Sequence, residues 1–115
     1  MKKKKTPSYV LAYDIGGTKV HAGIVDSKGK ILFEKRVIVD FAGGPKSVFS
    51  QWIEAGREVL SEAPQLARRI TRVGVASAGP LDPAKGILLD PTNFPGWGNV
   101  PIARYLSAGL GKRKV

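Results

Sequence analysis

The sequence contains no cysteine, a single histidine and a single methionine. Without cysteine, neither a disulfide framework nor a thiolate metal site can form. His21 alone cannot build a zinc site, and as a hairpin residue it is expected at the surface or half-buried. Acidic residues are scarce, nine against nineteen basic ones, which leaves a net charge of +10. Such an excess suggests nucleic acid, but its distribution argues otherwise. Lys2 to Lys5, Lys112, Arg113 and Lys114 hold seven of the nineteen, so the body keeps twelve basic residues against nine acidic. Terminal charge runs read as solvated tails that hold RNA or an anionic surface only weakly. No recognition module or basic–aromatic platform accompanies them, so no specific nucleic-acid partner is expected. Long apolar runs are also missing, which excludes a helical membrane span. The lysine run lacks the apolar core and cleavage site of a secretory signal. A cytoplasmic protein with no membrane partner is the expectation.

What is present suits one globular domain: 115 residues, 43% hydrophobic. Residues 1–8 read as a basic tail, 9–111 as a folded domain and 112–115 as a basic end. Tyr9 to Asp14 and Lys19 to Asp26 read as a β-hairpin, and Ile31 to Val39 as a third strand after the polar Ser27-Lys28-Gly29-Lys30 turn. Short turns between three strands imply an antiparallel meander. Pro45 then suits a first helical turn. Val48, Phe49, Trp52, Ile53, Val59 and Leu60 recur at helical spacing, and Ala63-Pro64 ends the pattern. Gly56 within it allows close packing against the sheet. The near-continuous apolar run from Ile70 to Ser77 suits a strand buried on both faces and parallel to its neighbour. Lys85 to Leu89 is a short extended piece, and Ile102 to Leu110 is a second helix with Gly111 placed to end it. The fold class is α/β, and the order opens a ribonuclease-H-like unit, the building block of the actin and hexokinase superfamily.

Chemistry concentrates at Asp14-Ile15-Gly16-Gly17-Thr18-Lys19. A carboxylate at a strand's end can hold Mg²⁺ directly or through water. Gly16 and Gly17 tolerate positive φ and have no Cβ, so backbone N–H groups can approach a phosphate. Thr18 adds a hydroxyl and Lys19 a cation. A plain tight turn, with Asp14 only a turn residue, is the alternative reading. No G-x-G-x-x-G occurs, and Gly109-Leu110-Gly111-Lys112 is not a Walker loop, because no Ser or Thr follows it.

This segment resembles the first phosphate loop of sugar kinases in the ROK (repressor, open reading frame, kinase) family, which includes bacterial glucokinases. Val73-Gly74-Val75-Ala76-Ser77-Ala78-Gly79-Pro80-Leu81-Asp82 and Asp90-Pro91-Thr92-Asn93-Phe94-Pro95-Gly96-Trp97 resemble two further family segments, in the family's order. The likeness runs from about Val10 to Leu110 and matches the N-terminal part of the family. It implies an ATP-dependent hexose kinase, with Asp14, Gly16, Gly17, Thr18 and Lys19 at the nucleotide phosphates and Mg²⁺ at Asp14. It also implies that the backbone at Gly79 and the amide of Asn93 meet sugar hydroxyls. Thr92 and Phe94 depart from the family's Pro-Asn-x-Pro-Gly-Trp pattern.

In the family the catalytic base is an aspartate in an Asn-Asp-Ala motif after the second helix. Further sugar-binding residues, a structural zinc site and most of the adenosine pocket follow it. None of these lies in this sequence, so little or no turnover is expected from the chain alone. A non-catalytic sugar- or phosphate-binding module of the same family is the other expectation. An uncovered interdomain surface further implies self-association into a dimer or larger assembly.

Overall fold

In strands, alternate side chains point to opposite faces, and here that alternation divides apolar from polar residues. The computed structural model describes residues 8–77, 80–89 and 98–115. Strand β1 (Tyr9–Ile15) buries Leu11, Tyr13 and Ile15, and β2 (Lys19–Asp26) buries Val20, Ala22 and Ile24. The two pair antiparallel with Ile15 opposite Val20, and β2 pairs antiparallel with β3 (Ile31–Ile38). Between β2 and β3, Asp26 makes the turn. Its Oδ1 accepts from the backbone N–H of Lys28 and of Lys30, each at 2.9 Å, while Gly29 takes φ 83°. Val39 lies just past β3 yet is buried.

Helix α1 (Gly44–Glu62) crosses the face that carries these apolar residues, burying Val48, Trp52, Ala55, Gly56, Val59 and Leu60. Its entry is held by Gln51, whose amide accepts from Asp40 N and donates to Asp40 O. Gly56 faces Tyr13. The Tyr13 hydroxyl donates to the carbonyl of Trp52 at 2.7 Å, and a Cβ on Gly56 would overlap that hydroxyl. Burial holds the Tyr13 phenol well above its ordinary pKa. At the sheet's rim, Lys35 pairs with Glu58 on α1. That pairing comes first in raising the Lys35 pKa, and Glu62 and Glu54 act in the same direction.

A short helix, α2 (Pro64–Ala67), follows where the sequence suggested only a helix end. Pro64 has no N–H to satisfy and so starts a new turn. Strand β4 (Val73–Ser77) then lies parallel to β1, giving the sheet order β3-β2-β1-β4. The expected burial of β4 on both faces does not hold: Gly74 and Ala76 are exposed. They point away from α1, and no described element covers that side of the sheet. The apolar run instead reflects small residues on an open face.

Strands β5 (Leu81–Asp82) and β6 (Ile87–Leu88) form a small hairpin. Helix α3 (Ile102–Gly109) packs beside α1, with Ile102, Leu106 and Leu110 buried and Tyr105 stacked on Phe49 at 4.3 Å. The basic C-terminal residues are not simply a solvated end. The Arg113 guanidinium donates to the carbonyls of Ile70, Leu110 and Ala67 at 2.8, 2.8 and 3.0 Å. Lys114 is thereby set parallel to Arg72, accepting from Val73 N at 2.7 Å.

Candidate functional site

The β1–β2 turn stands at the sheet edge where β1 and β4 both end, since Ile15 pairs with Ser77. Inside the turn, Gly16 N donates to Lys19 O at 2.9 Å, which closes it. A Cβ on Gly16 would lie 3.3 Å from that same carbonyl, tighter than an ordinary contact. Neither Gly16 nor Gly17 has positive φ. The glycines therefore serve this turn through the missing Cβ and not through left-handed backbone, which corrects the sequence reading. The Gly16 amide is spent within the turn. The amides of Gly17 and Thr18 have no hydrogen-bond partner among the described residues. Thr18 O accepts from Val39 N at 2.8 Å, tying the turn to the end of β3.

Asp14 is exposed and projects from the face opposite α1. Registers place His21 opposite Asp14, and Arg36 opposite His21, in one row across three strands. Lys19 lies on the same face, nearer the turn. Asp14, Gly16, Lys19, Val20, His21 and Arg36 line a hollow of about 310 Å³. A second hollow of about 170 Å³ adjoins it through Asp14 and His21, and continues over Ala12, Gly23, Val25 and Ile31. The carboxylate of Asp14 makes no hydrogen bond or ion pair among the described residues, nor do the side chains of Lys19 and Arg36. Glu34 instead approaches His21, with Oε2 3.6 Å from Nε2.

Sequence reasoning found Asp14 and Lys19 but singled out neither Arg36 nor His21 for this site. Strand register could have found them: counting pairs outward from the turn sets Asp14, His21 and Arg36 abreast on one face.

The donor set bears on which metal could bind. Among the described residues, no group of three or more His, Asp or Glu side chains gathers to hold a metal ion. A lone exposed carboxylate does not suit a resident zinc or calcium. It does suit Mg²⁺, which keeps most of its waters and arrives with substrate phosphates.

The two residues expected at the sugar, Gly79 and Asn93, lie outside the described residues. The chain on either side of them is fixed. Ser77 ends β4 beside the turn. Leu88 and Val100 exchange two hydrogen bonds of 2.8 Å, and Leu89 N donates to Pro80 O at 2.9 Å. Those bonds close the base of the segment that contains Asn93.

A family model described as "ROK family" matches residues 10–114. A glucokinase of Thermotoga maritima is 35% identical over 108 residues, covering 90% of this chain and 31% of the relative. A ROK family glucokinase of Streptomyces griseus, solved with glucose and AMPPNP, superposes with a TM-score of 0.67 and 25% identity over 90% of this chain and 31% of that one. An inorganic polyphosphate/ATP-glucomannokinase of Arthrobacter sp. strain KM superposes with a TM-score of 0.68 and 32% identity, over 90% of this chain and 41% of that one. The chain thus spans about a third of the length of the curated relatives it matches. Among the described residues, no helix is long and apolar enough to cross a membrane.

Proposed function

The chain belongs to the ROK family, and from that premise we propose that it is the phosphate-holding N-terminal domain of an ATP-dependent hexose kinase of glucokinase type. The observation that carries this is the turn itself. Two amides, at Gly17 and Thr18, stand at a sheet edge beside the carboxylate of Asp14, and none of the three has a hydrogen-bond or ion-pair partner among the described residues. Free N–H groups in a turn suit phosphate oxygens. Asp14 is the residue that would hold Mg²⁺, which would supply charge neutralisation at the phosphoryl group. Gly16 shapes the turn, Thr18 adds its hydroxyl and Lys19 its ammonium. On this reading Gly79 and Asn93 meet the sugar, and the domain is the ribonuclease-H-like unit of the actin and hexokinase superfamily. A base for the sugar hydroxyl is needed as well, and the Asn-Asp-Ala motif that the resemblance implies for it does not occur in this sequence. The isolated chain therefore phosphorylates glucose, mannose, fructose and N-acetylhexosamines slowly or not at all. The open sheet face, with Ile31 and Ile38 exposed at its edge strand, supports self-association, which sedimentation at high protein concentration measures.

Calorimetric titration with MgADP tests the phosphate site. Saturable binding is expected, weakened at least tenfold by Asp14→Ala. The reading is wrong if the unaltered chain takes up no MgADP, or if rapid ATP-dependent sugar phosphorylation shows that the missing base is not missing.

A further inference from the structure

Arg36 is the described cation that the proposed function leaves unused at this edge. It stands on β3, two strands from Asp14 and in the same row. Neighbouring strands lie about 4.8 Å apart, so the row from Asp14 to Arg36 spans about 10 Å, far more than one phosphate group needs. The hollow between them holds opposite charges that do not neutralise one another. Asp14, Lys19 and Arg36 all line it, and none is ion-paired among the described residues. The acid closest to Arg36 along β3 is Glu34, and it is turned to His21. Surface charges of opposite sign usually drift into pairs when nothing holds them apart. Here pairing is opposed by strand geometry: the side chains root on three different strands, and the register sets His21, on the middle strand, between Asp14 and Arg36.

Such a hollow matches a ligand that carries both signs, with metal and anion side by side. We propose that the hollow lined by Asp14, Lys19, His21 and Arg36 is a subsite for a magnesium-bound chain of phosphates, continuous with the Gly17–Thr18 turn. It rests on the kinase reading above and adds residues to it. Arg36 holds the phosphate group farthest from the turn with its forked N–H donors, a geometry that suits phosphate oxygens. Lys19 meets the middle of the chain, Asp14 faces the metal, and His21 is the wall that keeps Glu34 away from the anion. Two sources supply this chemistry, a nucleoside triphosphate or diphosphate and an inorganic polyphosphate.

The test is calorimetric titration of the full 115-residue chain with magnesium tripolyphosphate and, separately, with MgADP. Arg36→Ala is compared with Arg68→Ala, an exposed arginine on the other side of the fold. Circular dichroism checks that both variants stay folded. Losing one charge-assisted contact is expected to weaken tripolyphosphate binding about tenfold in Arg36→Ala, with Arg68→Ala unchanged. If MgADP weakens by the same factor, the nucleotide's own phosphates occupy the subsite. If only tripolyphosphate weakens, the subsite serves the inorganic chain. The inference is overturned if Arg36→Ala leaves tripolyphosphate binding intact, or if Arg68→Ala weakens it equally. MgADP binding that depends on Asp14 but not on Arg36, with no tripolyphosphate binding, removes this inference alone. Failure of both probes removes the kinase reading as well.

Discussion

Toward α1, the sheet presents Leu11, Tyr13, Ile15, Val20, Ala22 and Ile24, all buried. Away from α1, the same two strands present Asp14, Lys19 and His21, and β3 adds Arg36. The residues alternate along the same few peptides, yet one set excludes water and the other meets it. Slipping a strand by one residue would exchange the sets. The apolar face therefore fixes the register, and the register alone sets Asp14, His21 and Arg36 abreast. Packing on one side of this sheet is what positions chemistry on the other.

Substitutions on the two faces sharpen that contrast. Trp52→Ala empties the centre of the α1 side and should cost about 3–5 kcal/mol, measured by urea unfolding. Gly56→Ala drives a methyl into the Tyr13 hydroxyl and should cost about 1–3 kcal/mol. Adding Tyr13→Phe removes the nearest obstacle and leaves the ring carbon at 2.9 Å, so the double variant should lose less than the two single losses combined. Tyr13→Phe alone gives up one buried hydrogen bond, about 1 kcal/mol, and changes the alkaline limb of stability. The phenol pKa is raised by folding, so the folded state holds its proton more tightly than the unfolded chain. Stability from this group is complete below the ordinary phenol value near 10 and falls as pH climbs above it. The phenylalanine variant should lose that step, followed by unfolding titrations between pH 9 and 11. Asp14→Ala, on the open face, should move stability by less than about 0.5 kcal/mol while weakening MgADP binding. An Asp14→Ala chain destabilised like Trp52→Ala would break the distinction between the faces.

Much of this arrangement was legible in the sequence, because strong periodicity leaves little choice. The bounds Lys19–Asp26 and the antiparallel partners of that strand follow from alternation between two polar turns. The amphipathic stripe from Val48 to Leu60 likewise specified α1 and its buried Trp52. Features set by tertiary context were not legible. An apolar run such as Ile70 to Ser77 says how little water a strand tolerates, not how many neighbours it has, and Gly74 and Ala76 prove exposed. Adjacent glycines permit positive φ but do not require it, and the Gly16–Lys19 hydrogen bond closes this turn without it. Arg36 escaped notice because its place depends on pairing two strands away from the motif. Arg113 read as part of a charged tail, since no local pattern reveals a guanidinium that serves two distant carbonyls, of Ile70 and Ala67, besides the nearby one of Leu110.

One bond in the turn reaches further than its 2.8 Å. Because Val39 N donates to Thr18 O, and the next residue, Asp40, is clasped by Gln51 of α1, the loop apex is mechanically linked to the first turns of the helix. Whatever stiffens the apex should slow solvent exchange of the Val39 amide proton. That single proton is a natural reporter of occupancy, readable from the edge strand without a label near the ligand.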